Sequence, residues 1–169
     1  MRIGLRPFGE VPAEIVDALA PVLEEFGRVE RLPPAPIPSE WFDPTAGKFE
    51  ADRFLEALRD EPFDRVLGVT AVDLFAREYN FVFGQARIMG RPAIVSTARL
   101  GKPGSEVLRE RLAKEAIHEI GHTLGLGHCT NRECVMWFSN TLQETDRKTR
   151  WFCRVCHATV DFTAKRLRM

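Results

Sequence analysis

Residues 118–128 read His118-Glu119-Ile120-Gly121-His122-Thr123-Leu124-Gly125-Leu126-Gly127-His128, and they hold three of the four histidines in the 169-residue chain. His118 and His122 are four apart, so a helix would stack them one turn apart on one face, where they can share a metal ion. Glu119 follows around the helix, close enough to take a proton from a metal-bound water without being a ligand. Gly125 can adopt positive φ and end the helix sharply, turning His128 back as a third nitrogen ligand. Three protein ligands leave one position open, the arrangement of a catalytic zinc, whereas a structural zinc is closed by four. A bare HExxH arises by chance on amphipathic helices. Gly125 and His128 at these offsets argue against coincidence.

All four cysteines follow the motif: Cys129, Cys134, Cys153 and Cys156. The start, Met1-Arg2-Ile3-Gly4-Leu5-Arg6-Pro7, lacks the apolar core of a secretion signal, so a cytoplasmic, reducing compartment is expected. There a cysteine cluster more often means metal than disulfide, and Cys-x4-Cys with Cys-x2-Cys suits a tetrahedral thiolate zinc site. Two disulfides, a redox-active Cys153/Cys156 pair, or His157 in place of one thiolate are the alternatives. Met136, within Val135-Met136-Trp137-Phe138, reads either as core packing or as an apolar floor beneath the metal.

The elongated zinc motif followed by this order of cysteines and methionine resembles the archaemetzincins, a metzincin group of zinc peptidases, in recognisable pieces over residues 62–157. The resemblance implies that His118, His122 and His128 ligate a catalytic zinc and that Glu119 is the general base and acid. Met136 would be the methionine of the Met-turn, with Gly125 ending the helix. Cys129, Cys134, Cys153 and Cys156 would bind a second, structural zinc. Because Cys129 adjoins His128, that ion would brace the loop carrying the third ligand. The implied fold is a mixed α/β domain over residues 1–169: a twisted sheet of about five strands with an antiparallel edge, an active-site helix and a C-terminal helix. Residues 1–125 would form the upper part and 126–169 the lower.

The remaining sequence fits this outline. Apolar content of 44% with 28% charged residues is ordinary for a globular chain, and no apolar run reaches the ~18 residues a membrane span needs. Zero formal net charge argues against a nucleic-acid partner, although residues 141–169 hold seven Lys/Arg against three Asp/Glu. The tail Lys165-Arg166-Leu167-Arg168 reads as a solvated helix end. Strand and helix alternate along the N-terminal half. The pattern predicts strands at 2–5 and 28–32, with a helix from Pro12 to Phe26 stopped by Gly27. Pro33 to Pro38 is expected to be extended. A helix is expected from Phe49 to Leu58, a buried strand from Arg65 to Leu74, and two strands at 81–88 and 93–98 joined by Met89-Gly90-Arg91-Pro92.

Ser105 should cap the motif helix, Glu110 and Lys114 should pair on its surface, and Ala113, Ile117, Ile120 and Leu124 should form its core stripe. Asn140 and Gln143 suggest a capping box for one last helix running into Cys153 and Cys156. The strand at 81–88 is the expected edge, on which a peptide could add a strand. Peptide or protein substrates of a monomeric zinc peptidase, with no nucleic-acid or membrane partner, are therefore expected, with aminopeptidase-like action as one form. Hydrolysis of non-peptide amides and zinc-stabilised peptide binding with little catalysis are the alternatives; the intact Glu119 counts against the last.

Overall fold

The first strand is buried along most of its length. In β1 (Arg2–Phe8), Ile3 and Leu5 join one core while Phe8 joins the other, so the strand is covered on both faces. In α1 (Ala13–Glu24), Ile15, Leu19, Val22 and Leu23 are buried at helical spacing, and β2 (Arg28–Arg31) returns parallel to β1. The computed structural model describes residues 1–167, and Arg168 of the basic tail lies outside the described residues. A 3-10 turn (Ser39–Trp41) and the short strands β3 (Phe42–Asp43) and β4 (Lys48–Glu50) lead into α2 (Ala51–Leu58). Then come β5 (Arg65–Thr70), β6 (Leu74–Ala76), β7 (Tyr79–Val82), β8 (Gly84–Ala86) and β9 (Pro92–Ser96). Three helices complete the chain: α3 (Glu106–Thr123), α4 (Leu142–Arg147) and α5 (Arg154–Arg166).

The main sheet has the order β2-β1-β5-β9-β8, parallel throughout except for β8, which runs antiparallel to β9 at the edge. Helices α1 and α3 pack on one face, where Leu67, Val69, Ala93 and Val95 meet Leu112, Ala116 and Ile120. On the other face α2 presses Phe54 edge-on to Phe8 and Trp41, at ring separations of 5.1 and 4.9 Å, beside Val66 and Ile94. The expected mixed five-stranded sheet is therefore present.

Several local expectations change. The strand placed at 81–88 divides at Phe83: β7 belongs to a second, four-stranded sheet of order β3-β4-β6-β7, and only β8 edges the main sheet. The strand placed at 65–74 ends at Thr70, with Leu74 opening β6, and Phe49 lies in β4 rather than α2. Lys114 does not pair with Glu110. It is buried, and its Nζ donates to the carbonyls of Thr145 and Asp146 at 3.2 and 3.4 Å, capping the end of α4. The single last helix is two helices. Thr141 and Glu144, one residue beyond the anticipated pair, form the capping box of α4, and Cys153 directly precedes α5.

A buried ion pair joins α3 to the segment behind α4. The Lys148 Nζ lies 3.0 Å from Glu115 Oε1, with side chains 0% and 4% exposed, and the same oxygen accepts from the Thr145 hydroxyl at 3.2 Å. Removing one member of such a pair strands the other charge, at a cost of about 3–5 kcal/mol. Lys148→Met should lower the unfolding free energy in urea by about that amount, and Lys148→Met with Glu115→Leu should recover much of it. A neutral single variant would contradict this role for the pair.

Candidate metal centre and cleft

The Ser105 side chain accepts from the Leu108 amide at 3.1 Å and starts α3 in register. Its last turns are buried on every side, from Leu112 through Thr123. The helix ends in a Schellman motif: the Leu126 amide donates to the Gly121 carbonyl at 3.1 Å and the Gly125 amide to that of His122 at 2.9 Å. Gly125 adopts φ +96°, as its position just past the helix end predicts, and the Met89 sulfur fills the space where a Cβ would stand. The chain then turns back and brings His128 to the two helix histidines.

Each helix imidazole is fixed by a backbone carbonyl. His118 Nδ1 lies 2.8 Å from the Val135 oxygen, and His122 Nδ1 lies 2.7 Å from that of Leu126. A carbonyl only accepts, so both Nδ1 atoms carry the proton and both Nε2 atoms present lone pairs. Those Nε2 atoms are 3.0 Å apart, and one ligand nitrogen from each of the three histidines falls within 4.8 Å of the others. Lone pairs converging at that distance repel unless a cation lies between them. The arrangement fits a metal with Zn–N bonds of roughly 2.0–2.1 Å. His128 is exposed, with its ring 4.9 Å from that of Phe138.

Glu119 is buried against the edge strand. A Cβ on Gly84 would meet Glu119 Cγ and Oε1 at 2.8 Å, so only glycine lets the carboxylate approach β8. Burial, reinforced by the Glu115 carboxylate, pushes the Glu119 carboxyl well above its usual range, while Lys148 opposes the shift. The Met136 sulfur would stand 2.4 Å from a Cβ on Gly121, which places the thioether beneath the turn between His118 and His122. Met136 is fully buried.

The four thiols are free, which sets aside the disulfide alternative, and their sulfurs lie within 4.8 Å of one another. Cys129 and Cys153 sulfurs are 3.8 Å apart, close to the spacing of roughly 3.8 Å that tetrahedral Zn–S bonds of ~2.3 Å would give. The amide of Cys156 lowers the Cys153 thiol to about 7, whereas burial raises that of Cys156. His157 faces Asp161 at 3.2 Å and is not part of the cluster. The Cys129 amide donates to the Met136 carbonyl at 2.9 Å, tying the thiol cluster to the segment beneath the histidines.

A cleft of about 440 Å³ opens over this centre, lined among others by Asp52, Tyr79, Gln85, Glu115, Glu119 and Phe138. The β6–β7 hairpin forms one wall, with the Tyr79 ring 5.7 Å from that of Phe138. Among these features, the Glu115–Lys148 pair, Gly84, Gly121 and the carbonyls of Val135 and Leu126 escaped the sequence reading. Only Glu115 carried a usable signal, lying one turn before Glu119 on the motif helix.

Three converging imidazole nitrogens, with a glutamate of the same helix set against an antiparallel edge strand in one cleft, define a zinc metallopeptidase of the metzincin type. The chain belongs to Peptidase family M54, whose family model matches residues 47–161. It is similar to the archaemetzincin of Methanopyrus kandleri, 44% identical over 164 residues and 94% of each chain; the crystal structure of that protein matches with a TM-score of 0.89 over 98% of this chain and 96% of that one. The crystal structure of archaemetzincin from Archaeoglobus fulgidus, complexed with malonate, matches with a TM-score of 0.87 at 40% identity, covering 94% of this chain and 99% of that one. A zinc-dependent peptidase from Methanocorpusculum labreanum matches at 32% identity with a TM-score of 0.78, covering 94% and 99%. Among the described residues no helix is long and apolar enough to cross a membrane.

Burial lowers the pKa of His118 furthest, helped by Lys148 and His122, and burial likewise lowers those of His122 and His128. In metal-free protein the resulting stability is complete above the unfolded histidine value of about 6.5 and is lost as the pH falls through the lower folded values. The melting temperature of chelator-treated protein should therefore drop on acidification below about pH 6.5, and less so in His118→Gln. An identical drop in wild type and variant would reject the assignment.

Proposed function

We propose that this chain hydrolyses peptide bonds in an extended substrate laid along β8, with Glu119 moving the proton and His118, His122 and His128 holding the catalytic zinc. The observation that carries the reading is the Glu119 carboxylate set against the edge strand at Gly84, in the cleft that His118, His122 and His128 also line. Ser96 N bonds to Phe83 O and Arg87 N to Pro92 O across β8–β9, so by strand alternation Gly84 and Ala86 turn their N–H and C=O groups outward to the cleft. Those groups can pair with a substrate backbone as an added strand. Zinc, when bound, polarises the scissile carbonyl and lowers the pKa of the attacking water. Glu119 takes the proton of that water and returns it to the departing amine, a role suited to a carboxyl whose proton affinity burial has raised. The protonated Nδ1 atoms of His118 and His122 keep both ligand nitrogens aimed at the centre.

Cys129, Cys134, Cys153 and Cys156 hold a second, structural zinc in this reading, and the cleft separates an upper part, residues 1–125, from a lower part, 126–169. Aminopeptidase-like action would need a carboxylate free to receive a substrate amine. Glu115 is committed to Lys148, which leaves Asp52 and Glu78 among the cleft carboxylates.

Glu119→Gln should retain wild-type zinc while kcat on a cleaved peptide falls by about 10²–10⁴-fold. Unchanged turnover would sink the assignment, and peptide binding without turnover in the wild type would instead favour a non-catalytic binding protein. For the second ion, elemental analysis should find two zinc ions per chain and one in Cys134→Ser/Cys156→Ser, with a lowered melting temperature. Equal zinc in both proteins would overturn the structural site.

A further inference from the structure

The edge strand carries one long side chain on the face away from the metal. Gln85 pairs in register with Ile94, whose side chain packs with α2, so Gln85 points to that side of the sheet while Gly84 and Ala86 face α3. Its Nε2 donates to Asp52 Oδ1 at 3.3 Å. A carboxylate can only accept, so the amide orientation is fixed and Oε1 is the remaining atom. That oxygen is buried and has no hydrogen-bond partner, although Gln85 and Asp52 both line the cleft that holds His118 and Glu119. A buried acceptor without a donor is unfavourable, and one on a residue lining a cleft can be satisfied by an N–H that a bound ligand brings.

Charge points to what that ligand carries. Glu119 faces the metal centre and Glu115 is already paired with Lys148, so away from that centre the cleft's charged side chains are Asp52, Glu78 and Arg77. Asp52 has one ionic partner, Arg87, at 3.4 Å; that guanidinium is 55% exposed, so water screens the contact and the arginine can yield.

We infer that Gln85 and Asp52 form a specificity subsite on the α2 side of the cleft, selecting peptides that present a cationic N–H donor there. The donor is the ammonium or guanidinium of a lysine or arginine side chain, or the free N-terminal amine. Gln85 Oε1 accepts one N–H and the Asp52 carboxylate another, displacing Arg87. Because a bound strand sends alternate side chains to opposite faces, selection falls on one substrate position while its neighbours face α3. The inference rests on the proposed binding of substrate along β8.

The test compares zinc-loaded wild type, Asp52→Asn, Gln85→Leu and Arg87→Ala on one peptide scaffold. Each position around the cleaved bond carries lysine or its uncharged counterpart norleucine, with the N-terminus acetylated or free. Wild type should cleave the lysine peptide about tenfold or more faster in kcat/KM at one position. Asp52→Asn and Gln85→Leu should each bring the ratio of lysine to norleucine cleavage close to one, and Arg87→Ala should raise that ratio. If acetylation rather than lysine controls the preference, the cation is the terminal amine. Equal cleavage of all forms by wild type, or equal losses on lysine and norleucine peptides in Asp52→Asn, overturns the subsite. If no peptide is cleaved, the proposed peptidase reading fails separately. Fluorescence anisotropy of the same labelled peptides on Glu119→Gln then decides the subsite by binding: tighter binding of the cationic peptides, lost in Glu119→Gln/Asp52→Asn, supports it, and equal binding rejects it.

Discussion

The site depends on two backbone carbonyls, those of Val135 and Leu126, which accept the Nδ1 protons of His118 and His122. Neither carbonyl belongs to the helix that carries the histidines. Leu126 reaches its place only because Gly125 takes a left-handed conformation and the Schellman bonds fold the chain back over the last turn. Val135 reaches its place because the flanking Cys134 and Met136 are themselves fixed, one in the thiol cluster and one against Gly121. The tautomer of each imidazole is thus set by the loop, and the ligand direction by the helix.

Close approach is the second requirement, and missing side chains meet it. Gly84 admits the Glu119 carboxylate to the edge strand and Gly121 admits the Met136 sulfur to the helix. Both contacts join pieces of chain distant in sequence. The buried Glu115–Lys148 pair adds a third tie, holding the segment after α4 against the turn that precedes the motif. Removing one partner of such a pair strands the other charge, whereas replacing both with apolar side chains costs far less.

These dependences explain what the sequence made legible. The helix, its Ser105 cap, the break at Gly125 and the convergence of His118, His122 and His128 all follow from local spacing, and the structure shows each of them. The five-stranded mixed sheet was legible too, because strand and helix patterns alternate along the N-terminal half and the strand beginning at Arg65 is nearly continuous in apolar residues. The second sheet was not: strands of two to four residues, such as Phe42–Asp43 and Lys48–Glu50, are too short for a period of two to stand out. Lys114 looked like a surface partner for Glu110 because nothing nearby in sequence announces that α4 packs over it. The subsite residue Gln85 is silent for the same reason, since its partner Asp52 is 33 residues away.

One short hydrogen bond, from the Cys129 amide to the Met136 carbonyl, gives the two ligand clusters a common mechanical frame. His128 precedes Cys129 directly, and Val135, which orients His118, follows Cys134. Any order imposed on the thiols is therefore order already supplied to the imidazoles. Thermodynamic reciprocity requires the converse: whatever factor an ion at the sulfurs adds to affinity at the nitrogens, an ion at the nitrogens returns to the sulfurs. Affinity at either centre is in that sense a property of both.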